Sequence, residues 1–165
     1  MANYANIKYC DVANGTGVRT SVFISGCTHN CKNCFNSVAW DFNYGEELTS
    51  KVMSDIITSA APDYIEGISL LGGDPLCGED NQCASHALCH MFKSVYPNKT
   101  VWLYTGYLYD QVKHLPVMEH VDVLVDGPYI DEQRNLMLKF RGSENQRIID
   151  VKATREQNKI ILMNI

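Results

Sequence analysis

Three thiols fall within eight residues, Cys27-Thr28-His29-Asn30-Cys31-Lys32-Asn33-Cys34, spaced C-x3-C-x2-C. Thiolates are soft ligands that select zinc, copper or iron–sulfur clusters over hard cations. A structural zinc takes four ligands. His29 is the one nearby candidate for a fourth, but it lies between two of the cysteines, where the loop is cramped. Iron–sulfur clusters are ordinarily held by four cysteines. Three ligands on a four-iron cube leave one iron with open positions, able to hold a substrate rather than only pass electrons. The spacing therefore points to an iron–sulfur cluster.

Other stretches carry chemistry of their own. Leu70-Leu71-Gly72-Gly73-Asp74-Pro75 reads as a strand ending in two glycines and an acid. Glycine lets a backbone approach a ligand closely, and exposed carbonyls with a carboxylate offer acceptors only; the same residues also make a plain strand-end turn. Tyr104-Thr105-Gly106 ends a later strand and is placed either to line the same cavity or to pack and turn. Cys83, His86 and His90 share one face of a helix, with Cys77 ahead of them. A second metal site is conceivable there, and a solvated face is the simpler reading because such residues recur at helical spacing by chance. Cys89 lies off that face as packing, and Cys10 reads as a buried or half-buried thiol. Arg141-Gly142-Ser143 and Asn145-Gln146-Arg147 are rich in donors and read as a recognition surface. Asn14-Gly15-Thr16-Gly17 is followed by a strand rather than a helix, so it reads as a tight turn and not a phosphate loop.

The elements that must position these residues follow from periodicity. Val18 to Ser25 is dense in β-branched and aromatic residues and ends at Gly26, which places the cysteines just past a strand's C-terminal end. In α/β folds that is where ligands bind. The long loop 27–46 carries Phe35, Trp40, Phe42 and Tyr44, aromatics suited to covering a cluster. Leu48, Val52, Met53, Ile56, Ile57 and Ala60 repeat at helical spacing, with Thr49 as cap, Leu48 and Met53 as a staple, and Pro62 as stop. Strands are predicted at Tyr4–Tyr9 (a short edge strand), Ile65–Leu71, Thr100–Tyr104 and Val121–Val125. A helix over Asn81–Tyr96 shows an apolar stripe of Ala84, Ala87, Leu88, Met91, Phe92 and Val95, and a short one covers Leu108–His114. Arg147–Val151 and Lys159–Met163 read as later strands with a polar turn at 152–158. Strands alternating with helices imply a largely parallel sheet. A closed eight-unit barrel takes about 250 residues, so the expectation is an α/β fold built as a short, open, partial (β/α) barrel.

A chain of 165 residues suits one domain, taken as 1–165. Hydrophobic content of 45% and charged content of 20% fit a soluble globule. Neither a signal peptide nor an apolar run of spanning length is present, so a cytoplasmic location with no membrane partner is expected. A net charge of −5 speaks against a nucleic-acid partner. Seven cysteines without a secretory signal favour metal binding and free thiols over a disulfide framework.

Taken together, the cysteine loop after the first strand and Gly-Gly-Asp-Pro after the next resemble the radical S-adenosylmethionine (SAM) superfamily. Asn14 to Arg19, Gly26-Cys27, Cys34-Phe35-Asn36, Trp40, Trp102 to Tyr107, Val125-Asp126-Gly127 and Arg141 to Arg147 narrow the resemblance to the activating components of anaerobic ribonucleotide reductase. The resemblance implies a barrel of the radical SAM type. It implies one [4Fe-4S] cluster held by Cys27, Cys31 and Cys34, with SAM chelating the fourth iron, and no catalytic side chain beyond the cluster. Asn33, Cys34 and Phe35 would run along the adenine, Gly72, Gly73 and Asp74 would receive the SAM ammonium, and Thr105 would line the same cavity. One electron would cleave SAM to methionine and a 5′-deoxyadenosyl radical, which takes a glycine α-hydrogen from the large reductase subunit. A low-potential electron donor protein is implied as a second partner. Three alternatives stand beside it: an activase of another glycyl-radical enzyme of the pyruvate formate-lyase type, a radical SAM enzyme acting on a small molecule, and a zinc-stapled binding module.

Overall fold

The alternation of apolar strands and amphipathic helices folds into one seven-stranded mixed sheet; the structure, a computed structural model, describes residues 1–165. The strands are β1 (Asn3–Asp11), β2 (Val18–Ile24), β3 (Glu46–Glu47), β4 (Ile65–Gly72), β5 (Thr100–Tyr104), β6 (Val123–Asp126) and β7 (Arg147–Asp150). The helices are α1 (Ser50–Ser59), α2 (Glu79–Val95), α3 (Tyr109–Val112) and α4 (Val151–Gln157). Across the sheet the order is β3-β1-β2-β4-β5-β6-β7. The four central strands, β2, β4, β5 and β6, run parallel, and β1, β3 and β7 are added antiparallel. Parallel neighbours need a crossover connection, and α1, α2 and α3 supply it. The consequence for function is that Ile24, Gly72, Tyr104 and Asp126 all end at the same edge of the sheet, so their loops meet.

The strand period of two sorts the core. Val22, Ile24, Ile68, Leu70, Val101, Leu103 and Leu124 point to one face and pack with Ile56, Leu88 and Phe92 of the helices. Trp102, Val123, Val125 and Ile148 point to the other, where Tyr104, Phe140 and Met163 lean on them. On that second side, near the start of β2, Arg19 is fully buried with its guanidinium over the Trp102 ring, 5.8 Å from the centroid.

Thr49 caps α1 as expected, its hydroxyl accepting from the Val52 amide at 3.2 Å. Several expectations are corrected. β1 is longer than the short edge strand expected, and the two-residue β3 pairs outside it at Asn3 and Tyr4 only, so from Ala5 onward it is the edge of the sheet. The stretch 152–158 is not a turn between two strands but α4, capped at Asp150, whose side chain accepts from the Ala153 amide, and ended by Asn158 at φ 52. Lys159–Met163 forms no strand and touches β7 through one bridge, Leu162 to Ile149. On α2 the buried face is rotated from the expected stripe: Ser85 and Cys89 are buried, while Met91 and Val95 are 36% and 56% exposed. Ser85 tolerates this because its hydroxyl donates to the Pro75 carbonyl at 2.9 Å.

Candidate iron–sulfur site

Loops from the four parallel strand ends enclose one cavity of about 130 Å³, lined by all three cysteines of the triplet together with Gly72, Gly73 and Thr105. The cysteine loop is shaped by its asparagines. Asn30 and Asn33, each just ahead of a cysteine, have φ of 54 and 58, a left-handed conformation that asparagine tolerates better than most residues. Two such reversals in four residues let Cys31 and Cys34 face the cavity from which Cys27 also projects. The loop is tied down at its root by Gly26 donating to the Ala39 carbonyl at 2.7 Å and Cys27 donating to the Trp40 carbonyl at 3.1 Å. Gly73 must be glycine here, since a Cβ would stand 2.6 Å from the Ala39 carbonyl oxygen and 2.8 Å from Gly26.

Asp74 is the second anchor. Its side chain is buried, and it accepts from the Leu76 amide (2.9 Å), the Gly106 amide (2.9 Å), the Thr105 hydroxyl (3.0 Å to both oxygens) and His29 Nε2 (2.7 Å). Four donors fill the roughly four acceptor sites of a carboxylate. A carboxylate only accepts, so His29 Nε2 carries the proton. This bond raises the His29 pKa, against burial, which lowers it. His29 lies edge-on to Tyr107 with ring centroids 4.6 Å apart, and a Cβ on Gly106 would come within 2.7 Å of its ring. Thus His29, between two cysteines, pins the loop to the ends of β4 and β5.

The cavity suits a thiolate-bound inorganic group. Burial raises the Cys31 thiol pKa and pushes Cys27 up to about 12, so these two thiols are neutral on their own; a bound metal deprotonates a coordinating thiol outright. Tyr104 also lines the cavity, but its buried hydroxyl lies toward Arg19 and Asp11 rather than toward the cysteines. The cavity runs into an adjoining groove of about 490 Å³ that shares Phe35 and Tyr129 with it.

The expected site residues separate into two groups. Cys27, Cys31, Cys34, Phe35, Gly72, Gly73 and Thr105 line the cavity. Asn33 lines the groove instead, its side-chain amide donating to Asp131 at 2.9 Å, and Asp74 lies behind the cavity wall. Phe35 is 87% exposed at the mouth. Of the other loop aromatics, Trp40 lines the cavity and Phe42 packs on Gly26. The donor-rich segment 141–147 works mostly within the fold. Arg141 donates to the Glu144 and Gln146 carbonyls, and Arg147 makes a two-pronged pair with buried Asp126 at 3.0 and 2.6 Å, tying β7 to β6. Tyr129 and Gln146 line the cavity without having been singled out as site residues. The usable signal for Tyr129 was its place just after the end of β6, the fourth strand end at that edge.

The comparisons agree with this geometry. A family model described as a 4Fe-4S single cluster domain matches residues 13–149. An anaerobic ribonucleoside-triphosphate reductase-activating protein of Enterobacteria phage T4 is 37% identical over 148 residues, covering 88% of this chain and 92% of the relative. The protein of that description from Vibrio cholerae is 38% identical over 150 residues, covering 88% and 96%. The one from Escherichia coli is 35% identical over 148 residues, covering 87% and 96%. At these identities, over nearly nine-tenths of its length, the chain belongs to the family of anaerobic ribonucleoside-triphosphate reductase-activating proteins.

Proposed function

We propose that this chain, acting as a single domain over residues 1–165, is a radical SAM activase that places a glycyl radical on anaerobic ribonucleoside-triphosphate reductase. The observation that carries the reading is the meeting of three thiols with Gly72, Gly73 and Thr105 in one cavity, in a chain whose relatives bear that activating role in their names. Cys27, Cys31 and Cys34 would hold a [4Fe-4S] cluster. Such a cluster would supply one low-potential electron for the reductive cleavage of bound SAM. Gly72 and Gly73 offer backbone to the SAM ammonium, and segment 33–35 offers backbone and the Phe35 ring to the adenine. Asp74 serves through His29 and Thr105, its own acceptors being filled. A seven-stranded mixed sheet with its parallel strand ends gathered at one edge supports reading the fold as the short partial barrel such a site needs. The groove from Phe35 to Arg141, lined by Leu136 at 82% exposure, suits an inserted peptide loop of the reductase better than a buried metabolite. Glycine is a fitting target because it has no side chain to hold it away from a crowded site. An external low-potential protein would supply electrons, and the cytoplasm is the compartment in which both partners meet the chain. No helix here is long and apolar enough to cross a membrane.

The test is anaerobic mixing of reduced, cluster-loaded protein, SAM and the reductase large subunit. The expected outcome is a doublet EPR signal on the subunit, and transfer of deuterium from its glycine α-positions into 5′-deoxyadenosine. SAM turnover with neither signal nor transfer would sink the reading in favour of a small-molecule substrate.

A further inference from the structure

Away from the cysteine cavity, three imidazoles gather on the far side of the helix layer. His86 and His90 stand one turn apart on α2, and His120 ends the 3₁₀ turn Pro116–Glu119. Their ring centroids are 5.3 Å (His86–His120), 5.1 Å (His90–His120) and 6.0 Å (His86–His90) apart. No side chain or carbonyl accepts a hydrogen bond from any of the three rings, and His86 Nδ1 is buried with no partner at all. A buried polar nitrogen without a partner is costly and calls for a ligand, ion or water.

We propose that His86, His90 and His120 form a site for one borderline divalent transition metal, zinc or a close relative, which staples α2 to the 3₁₀ turn. The spacing fits. With Zn–N bonds of about 2.0–2.1 Å, ring centroids stand roughly 3.2 Å from the ion, and a tetrahedral angle separates them by roughly 5.2 Å. The observed 5.1 and 5.3 Å are close to that value; with the 6.0 Å side they put an ion nearly in the plane of the three ring centres, so a tetrahedral site draws His86 and His90 closer together. As the rings stand, the three are not placed to hold an ion between them. A centroid moves little when an imidazole turns about its Cβ–Cγ bond, so ring rotation can aim them without moving either backbone element. Two histidines at i and i+4 on one helix face are a recurrent zinc-binding pair, and the third comes from a separate element, which sequence spacing alone could not show. Imidazole is a ligand only when neutral. The other charged groups facing the cluster leave it free: Lys93 is bonded to Asp122 at 2.8 Å, and Glu119 makes no bond to the rings. Three imidazoles leave a fourth position for water or an exogenous ligand.

The test uses anaerobically cluster-loaded protein, so that the cysteine triplet is occupied, dialysed against zinc, with iron and zinc counted together. Cobalt(II) on the same protein reports the ligand set by its absorption. One zinc per chain beyond the iron is expected, with a cobalt spectrum free of thiolate charge transfer. His90→Ala and His120→Ala should each weaken zinc by more than about tenfold, the loss already typical of removing a group behind the ligands. Iron content should stay at the wild-type level in both. Zinc binding unchanged in either variant would overturn the site, and so would a cobalt thiolate band that vanishes in Cys83→Ser. Because the readouts are zinc affinity and cobalt absorption, they stand or fall separately from SAM cleavage.

Discussion

Arg19 and the cysteine triplet mark opposite ends of β2, and the chain treats the two ends in opposite ways. At the start of the strand all five N–H donors of Arg19 are matched: Nε by Ser69 Oγ, Nη1 by the Thr16 carbonyl and Thr100 Oγ1, Nη2 by the Ile68 and Thr100 carbonyls, at 2.7–3.1 Å. No carboxylate is among them, and burial pulls the Arg19 pKa down to about 10, so it stays charged at neutral pH. This is a buried charge held by neutral acceptors, closed to any further partner. At the other end Asp74 is matched just as fully, but the groups in front of it are not. Cys27 is a half-buried thiol with its pKa pushed up to about 12, and burial raises the Cys31 thiol as well. One end is complete as the chain folds, and the other is a frame that needs a group the chain does not contain. The difference separates what stabilises the fold from what the fold is for, since satisfied buried groups hold structure while unsatisfied ones mark where a ligand belongs.

Mutations can break this contrast at either end. The largest effect is expected from Cys27→Ala, Cys31→Ala or Cys34→Ala, each of which should abolish four-iron loading and SAM cleavage. Cys10→Ala and Cys89→Ala should keep the four-iron absorption, and its loss in either would reassign the ligands. Next, Arg19→Met leaves neutral buried acceptors without their donors and should cost about 1–3 kcal/mol for each one left unpaired. Urea unfolding measures it, and a cost below about 1 kcal/mol would show that the closed end does not depend on its cation. Asp74→Asn is intermediate. Losing a charge-assisted hydrogen bond should remove about 1.5–3 kcal/mol of stability and loosen SAM through His29 and Thr105 while iron content holds. Intact stability with weaker SAM binding would instead mean a carboxylate that meets SAM directly. Smallest is Phe35→Ala, where an exposed ring predicts a stability change within about 0.5 kcal/mol, and SAM or reductase affinity should fall instead. Early melting of that variant would contradict its place at the mouth.

The residues show why some of this was legible and some not. The cysteine loop could be placed because β2 is dense in Val, Phe and Ile and stops at a glycine, a local signal. Thr49 and Pro62 bracket α1 in the same local way. α4 escaped because seven residues with only Val151 and Thr154 buried give almost no periodicity; its signals were the Asp150 cap and the left-handed Asn158. The buried face of α2 was misjudged because residue type ranks Met91 and Val95 above Ser85 and Cys89, and the bond that reconciles Ser85 to burial goes to Pro75, ten residues away. Asp74 was recognisable as an acid near the site, but its partners His29 and Thr105 lie 45 and 31 residues off. No spacing rule could have shown that they fill it.

The outer side of β1 has a consequence for the protein in a crowded solution. From Ala5 onward it carries backbone groups that no neighbouring strand takes up. Such an edge is a template on which another chain's strand can build, the first step toward aggregation. Here the template is spoiled: the ladder to β2 slips between Tyr4 and Asn6 and again between Lys8 and Asp11, Cys10 twists to φ 52, and Lys8 and Asp11 put charge along the border. A straight incoming strand cannot follow that line for more than a few residues. The irregular first strand therefore keeps copies of the chain from polymerising sheet to sheet.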